Sequence, residues 1–239
     1  MYSHKCTLSS DFNNFSAKIT NKGFFIQKSK KIRENPIITV DNKELLIYNI
    51  WSKSERMREM IKNMFLHTAL VLRHKRAVFR NCRKCGLFFR GLVHDLSKFS
   101  PTEFFESVKY YNGKRSPIGV CRRETGMSHA WLHHKGRNKH HIEYWLDGDC
   151  EVTPMMPYKF AVECVCDKLA ATRVYAGKDY DTTLPLKHWE KYGCRVDGNP
   201  KTMKFIEQAF RDVLEHGEDY VLNRKYMQTK YEEICGKIK

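Results

Sequence analysis

Residues 91–100 read GLVHDLSKFS and place a histidine, an aspartate and a lysine inside an otherwise apolar stretch. A helix is predicted from Leu87 to Phe99, in which His94 and Lys98 stand four residues apart and share one face. Asp95 lies beside His94 and reaches the same side, and the apolar residues around it are predicted to keep this helix buried. Because buried polar groups need a partner, and a metal ion binds a nitrogen and an oxygen at once, the stretch predicts a metal site.

The segment before this stretch is predicted to form an antiparallel partner helix, since Gly86 marks a turn between the two. That segment begins at Ser54 and forms one long helix or two joined end to end. His74 lies twelve residues before Gly86 and His94 eight after it, so the two histidines are roughly level across the hairpin. His74 is therefore the first candidate ligand. His67 shares its face about 10 Å further along and is the alternate ligand, with a core role equally open.

Histidines are concentrated in one part of the chain, where eight of the eleven fall between residues 67 and 141. Histidine is the commonest metal ligand and the usual acid or base near neutral pH. The concentration therefore predicts a site in the interior of a helical domain. Within AWLHHKGRNKHHIEYW, His134 and His141 are favoured as ligands and His140 is an alternate.

Basic and amide side chains separate these histidines. Arg137, Asn138 and Lys139 are candidates for binding the oxygens of a phosphate group, which arginine contacts in bidentate fashion. The alternative is that these residues face solvent.

A second candidate carboxylate, Asp167, stands in the apolar segment VECVCDKLAA, on a helix predicted from Pro157 to Ala176. An aspartate in such surroundings is either paired or exposed between apolar faces. We interpret it as a ligand, and the alternative is a surface residue beside Lys168.

From residue 53 onward the chain is predicted to be an all-α, HD-like helical bundle. Ser100 is expected to cap a helix that has Pro101 as its first residue and Glu103 as capping-box partner. Further helices are predicted over about 200–215 and 218–235, with loops over 113–125 and most of 176–199. Residues 1–52 are interpreted as a poorly defined N-terminal extension that forms a small β hairpin, across Asp41-Asn42, or is disordered.

The net charge of +16, from 43 Lys and Arg against 27 Asp and Glu, favours anionic partners such as phosphates. The alternative explanation is that the positive charge serves only to keep the protein soluble. No run approaches the roughly 18 apolar residues of a membrane span, and the N-terminus lacks the apolar run of a secretory signal, so a cytoplasmic protein without a membrane partner is expected. The nine cysteines, including the pairs Cys82/Cys85 and Cys164/Cys166, are interpreted mostly as reduced, buried apolar residues rather than zinc ligands.

The order of these candidates, a histidine, an adjacent His-Asp followed by lysine, and a distant aspartate, resembles the HD-domain superfamily of metal-dependent phosphohydrolases. HDLSK is similar to its HDxxK motif, and GLVHDLSKFSPTEF, AWLHHKGRNKHHIEYW and MPYKFAVECVCDKLAA resemble an HD-like family of unassigned function over about residues 60–215. The resemblance implies catalytic roles for Asp95 and Lys98 and a second metal held by the later histidines. The ligand set that it implies for the first metal is His74, His94, Asp95 and Asp167. The interval from His74 to His94 is shorter than in most members, whereas that from His67 is more typical.

Two functional hypotheses follow from these residues. The first is a metal-dependent phosphohydrolase for a nucleotide or another small phosphate ester, with one or two divalent transition ions. Mixed histidine and carboxylate ligands suit Mn²⁺, Fe²⁺, Co²⁺, Ni²⁺ or Zn²⁺. The second is a basic nucleic-acid-binding protein that uses the bundle as a scaffold, with KSKKIR and LRHKRAVFRNCRK contacting backbone phosphates. Metal-dependent turnover distinguishes the two.

Overall fold

A computed structural model describes residues 5–6, 15–20, 23–28, 42–146 and 151–238. The chain divides into two compact units, Met1–Glu59 and Met60–Lys239. Helices dominate the described residues, and the predicted all-α fold class is confirmed. Residue 53, where the helical domain is predicted to start, lies inside the first helix.

The first unit contains three short antiparallel strands, β1 (Lys5–Cys6), β2 (Phe15–Thr20) and β3 (Gly23–Lys28), in the order β1-β2-β3. The hairpin predicted across Asp41-Asn42 is wrong, because a helix begins at Asn42 and includes the whole second arm. The first arm and Asp41 lie outside the described residues. A short apolar run such as LLIYNI fits a helix as well as a strand, and the helix-forming residues after it continue the helical period.

Helix α1 (Asn42–Lys84) is one continuous element of 43 residues. Ser54 lies in its interior, so the helix start predicted there is wrong. The chain leaves α1 through Gly86, whose φ of +76° is the left-handed conformation that favours glycine after a helix.

Helix α2 (Phe88–Val93) packs closely on α1 through Gly91. A Cβ at Gly91 would lie 2.8 Å from Cβ of Cys82 and 3.1 Å from the backbone Cα of Phe79. Only glycine allows this close approach, which fixes the position of the chain just before His94 and Asp95.

Eight further helices follow α2 among the described residues. They are α3 (Pro101–Lys109), α4 (Pro117–Thr125), α5 (His129–Lys135), α6 (Tyr158–Ala176), α7 (Leu184–Tyr192), α8 (Pro200–His216), α9 (Glu218–Val221) and α10 (Arg224–Cys235). The loops predicted over 113–125 and 176–199 are wrong where α4 and α7 form. Both helices carry a proline in the first turn, so a residue interpreted as a turn former is in fact a helix start.

Helix α6 is the centre of the second unit. Residues 160–166 are buried without interruption, and the helix contacts α2, α7, α8 and α10. A helix that is buried on all sides carries its polar residues into the interior. Glu163 and Asp167 are on this helix, one turn apart.

The six cysteines whose thiols are described are free and buried, which confirms their interpretation as apolar core residues. The thiols of Cys85 and Cys166 lie 3.8 Å apart. No cysteine belongs to a group of described residues that can hold a metal ion. No helix in the described part of the chain is long and apolar enough to cross a membrane.

Candidate metal centre

The helical conformation is interrupted at His94 and Asp95, which form a break between α2 and the following turn. Helix α2 ends at Val93 and a 3-10 turn covers Leu96–Phe99, so the helix predicted from Leu87 to Phe99 is wrong. Asp95 has φ 53° and ψ 31°, and it is the one non-glycine residue with positive φ among the described residues. This left-handed residue turns the chain so that His94 and Asp95 are both buried.

The apolar residues that flank the pair do not bury this segment. Leu92, Val93 and Leu96 are exposed, contrary to the expectation that they face the core. The break explains the difference: the polar pair points inward, and its apolar neighbours point outward.

Four side chains from three elements form a first group that can hold a metal ion: His74 of α1, His94 and Asp95 at the break, and Asp167 of α6. His74 Nε2 lies 3.0 Å from Oδ1 of Asp167, and His94 Nε2 lies 3.2 Å from Oδ2 of Asp95. Ligands about 2.0–2.2 Å from one ion stand roughly 3–4 Å from each other. The spacing therefore fits a single cation.

A second group uses the other oxygen of Asp95. Its members are Asp95, His134, His140 and His141. Oδ1 of Asp95 lies 3.4 Å from Nε2 of His134 and 3.4 Å from Nε2 of His140. Asp95 thus faces one group with each carboxylate oxygen, the arrangement of a carboxylate that bridges two ions.

Several buried atoms that face the two sites form no hydrogen bond, although Oδ2 of Asp95 is within ion-pair distance of Lys98 and Nε2 of His74 is within that distance of Asp167. Of the ten buried side-chain nitrogen and oxygen atoms without a partner in the described residues, seven belong to His74, His94, Asp95, His140 and His141. Leaving a buried polar atom unpaired costs about 1–3 kcal/mol. A set of such atoms that converges on two points fits bound metal cations.

The electrostatics of the centre also favour cations. Burial alone would raise the pKa of Asp95, but His94 and Lys98 outweigh it and hold that pKa well below its usual range. The pKa of Asp167 is held low in the same way by its histidine neighbours. Burial would lower the pKa of His94, but Asp95 and the other carboxylates around it raise that pKa well above its ordinary value. The cluster keeps its carboxylates ionised and attracts positive charge.

Two buried glutamates that the sequence did not predict in the site contact the histidines, and one of them, Glu163, forms with His94 and His140 a third group that can hold a metal ion. Glu163 Oε1 accepts a hydrogen bond from His94 Nδ1 at 3.0 Å. Glu103 Oε2 accepts one from His134 Nδ1 at 2.7 Å. Each bond holds Nδ1 and directs Nε2 at the centre, the ring orientation of the carboxylate–histidine–metal arrangement of metalloproteins.

Glu103 therefore has a different role from the one predicted. Ser100 does cap α3, since its side chain accepts from the Glu103 backbone N–H. The Glu103 carboxylate does not return to the cap as a capping box requires, and it binds His133 and His134 instead. The i, i+3 spacing that signals a capping box also places a carboxylate one turn into the helix, where it meets α5.

Two lysines lie at the centre. Lys98 Nζ is 2.5 Å from Oδ2 of Asp95, and Asp95 and Asp167 raise the pKa of Lys98 above its ordinary value although burial opposes this. Lys75 donates a hydrogen bond to the backbone carbonyl of His94, which joins α1 to the break. Both ammonium groups are partly accessible and can meet an anionic ligand.

His67, Arg137, Asn138 and Lys139 lie outside the two groups. His67 is buried against the rings of Phe104 and Tyr111, and burial together with Lys98 lowers its pKa to about 4. His67 is not a member of either group, whereas His140, named as an alternate, belongs to the second.

Arg137, Asn138 and Lys139, the candidate phosphate-binding residues, differ from one another in their surroundings. Arg137 is exposed and forms no ion pair with the described residues. Asn138 donates to the hydroxyl of Ser97 and to the carbonyl of His134, both at 2.8 Å. Lys139 is exposed, and its ammonium lies 5.6 Å from the centre of the Tyr144 ring.

The structure thus defines an all-α protein with buried His/Asp/Glu groups that can hold metal ions. The chain belongs to a family of unknown function, DUF5662, whose family model matches residues 63–212. That match includes every member of the two groups. No curated protein and no solved structure matches the chain.

Proposed function

We propose that this protein is a metal-dependent phosphohydrolase that acts on a nucleotide or another small phosphate ester. The observation that carries the proposal is the pair of four-residue groups that share Asp95. His74, His94, Asp95 and Asp167 would hold one ion, and Asp95, His134, His140 and His141 the other. The resemblance of HDLSK to the HDxxK motif of HD-domain phosphohydrolases agrees with this assignment.

Ions held by these residues would supply an activated water and would stabilise the attacking and leaving oxygens of a phosphoryl group. The protein's own residues provide the rest. Asp95 fixes the two sites relative to each other because one short side chain serves both. Lys98 and Lys75 add positive charge beside the centre, where charge on a phosphoryl group develops during hydrolysis. Arg137 is exposed and is available for a second contact with phosphate.

The proposal is tested by combining elemental analysis with a substrate screen. The purified protein should contain up to two equivalents of a transition metal and should hydrolyse a nucleotide or phosphomonoester in the presence of Mn²⁺, Fe²⁺, Co²⁺, Ni²⁺ or Zn²⁺. Asp95→Asn should remove the metal and the activity together, since both groups lose their shared carboxylate.

Asp212→Asn is the matched control for that variant. Asp212 is also a buried aspartate, but it binds Gln208 and Tyr226 and contacts no histidine of the centre. Its substitution should leave metal content and turnover unchanged. Equal metal content in wild type and Asp95→Asn would refute the proposal.

A second candidate function is nucleic-acid binding, and one observation favours it. Four exposed arginines of α1 are spaced three or four residues apart and therefore lie along one face: Arg73, Arg76, Arg80 and Arg83. Such a face can contact successive backbone phosphates. RNA or DNA binding that weakens steeply with salt, in a protein without metal-dependent turnover, would support this candidate over the hydrolase.

A further inference from the structure

Glu163 is a buried carboxylate behind the centre. It is fully buried on α6, and it lies one helical turn before Asp167, on the same face. Asp167 enters the first group, and Glu163 lies behind it, against the rings of His94 and His140. The centres of these two rings lie 4.4 Å apart, and the ring planes are tilted by 38°.

The two oxygens of Glu163 have separate partners. Oε1 lies 3.0 Å from Nδ1 of His94 and 3.4 Å from Nδ1 of His140. Oε2 accepts two hydrogen bonds from the Arg90 guanidinium, at 2.8 Å from Nε and 2.6 Å from Nη2. Two charge-assisted bonds to one oxygen anchor Oε2, and Oε1 is left directed at the two histidines.

His94 and His140 belong to different groups. Nε2 of His94 faces Oδ2 of Asp95, whereas Nε2 of His140 faces Oδ1. A carboxylate oxygen can only accept hydrogen bonds, so it favours the tautomer of each ring that carries its proton on Nδ1 and presents a bare Nε2. The oxygen atom that accepts the hydrogen bond from Nδ1 of His94 in the first group also lies 3.4 Å from Nδ1 of His140 in the second, and that second nitrogen has no other hydrogen-bond partner.

We propose that Glu163 is a positioning residue that couples the two ion sites, so that occupation of one favours occupation of the other. The proposal rests on the two-ion centre of the proposed function and not on the identity of a substrate. An ion at the first site fixes the ring of His94 against Oε1 of Glu163, which Arg90 already orients. The oriented carboxylate then holds His140 ready for the second ion.

Glu103 provides an internal comparison, because it serves a single group. Its carboxylate binds His134, a member of the second group, and His133, a member of neither. If orientation by a carboxylate strengthens a ligand, loss of Glu103 should weaken the second site alone. Loss of Glu163 should weaken both.

The experiment measures Mn²⁺ binding by isothermal titration calorimetry, and metal content by elemental analysis, for wild type, Glu163→Gln, Glu103→Gln and Asp212→Asn. We expect two ions with positive cooperativity in wild type and in the Asp212 variant. Glu163→Gln should weaken both ions by on the order of 10- to 100-fold and abolish the cooperativity. Glu103→Gln should weaken one ion only. Melting curves of the metal-free proteins check that each variant is folded.

A second variant keeps the test decisive if Glu163→Gln does not fold. Arg90→Gln releases Oε2 of Glu163 without touching either histidine, and Arg90 retains access to solvent with 32% of its side chain exposed. This variant should weaken both ions in the same direction and by a smaller factor.

Three results would overturn the proposal: a single ion in wild type, unchanged affinities in Glu163→Gln, or a loss confined to one ion in that variant. A wild-type protein that binds two ions cooperatively and hydrolyses no phosphate ester would contradict the proposed function and leave the coupling role of Glu163 standing.

Discussion

Asp95 combines a left-handed backbone with a buried carboxylate whose two oxygens face different histidines. Aspartate is one of the few side chains that tolerate this conformation, although holding it costs on the order of 1–3 kcal/mol. Strain of this kind persists where the surrounding structure maintains it. Here the carbonyl of the preceding residue, His94, is bound by Lys75, and the carboxylate is bound by Lys98.

The two histidines of α1 provide a prediction at the residue scale. His74→Gln should lower the metal content by one equivalent, because His74 Nε2 faces Asp167 and Asp95 in the first group. His67→Gln is the matched control, since it alters the same face of the same helix two turns away. Its metal content should equal that of wild type by elemental analysis. The reverse pattern would identify His67 as the first ligand.

Single residues also mark what the sequence could reveal about the site. His94 and Asp95 stood out because polar residues interrupt an apolar stretch, and Asp167 stood out for the same reason. Glu163 stands in the same apolar helix, but nothing in its immediate sequence distinguishes a glutamate that binds histidines from one that faces solvent. Its role depends on His140 and Arg90, which are distant in sequence and meet it only in the folded chain.

At the scale of elements, hydrophobic periodicity predicted α6 and α8 well, missed the first part of α1, and missed the short helices α4 and α7. Helix α6 agrees with its predicted bounds within one residue. Helices α4 and α7, of nine residues each, were hidden by the prolines and polar residues that also signal loops. The break at Asp95 was missed because a single left-handed residue leaves no periodic signal, and the apolar residues beside it suggested continuous burial.

The close contact of α2 with α1 gives a prediction for these elements. Gly91→Ala should force the two helices apart, because the added Cβ meets Cβ of Cys82 at 2.8 Å and the backbone of Phe79 at 3.1 Å. We expect a loss of about 1–3 kcal/mol in the free energy of unfolding, measured by urea denaturation. Because α2 leads directly to His94, metal affinity should fall as well.

Gly119→Ala is the control for that substitution. Gly119 lies in α4, and the nearest atom to its added Cβ is Arg123 Nη1 at 3.8 Å. Alanine should raise stability there by about 0.5–1 kcal/mol, the usual difference from glycine in a helix. Equal stability changes in the two variants would show that the approach of α2 to α1 is not tight.

For the whole molecule, metal binding and folding are expected to be linked, because the ligands come from α1, the break, α5 and the chain after it, and α6. An ion at 100 times its dissociation constant stabilises the folded state by about 2.7 kcal/mol. For a chain of this length that raises Tm by roughly 5–10 °C. Differential scanning calorimetry with Mn²⁺ and then with excess EDTA should show the rise and its reversal.

Asp95→Asn is the variant that tests this linkage, because asparagine keeps the left-handed backbone and removes the charge. Its Tm should not respond to Mn²⁺ or EDTA. A response as large as that of wild type would place the stabilising ion elsewhere in the protein.

The left-handed Asp95 also limits how the family can diverge. Position 95 has to supply a negative charge, two oxygens on a short side chain, and tolerance of positive φ. Glycine and asparagine meet the backbone demand without the charge, and glutamate carries the charge on a longer, less tolerant side chain. Homologues that keep both ion sites should therefore be invariant here, and a homologue with asparagine or glycine at this position should have lost the two sites in a single evolutionary step.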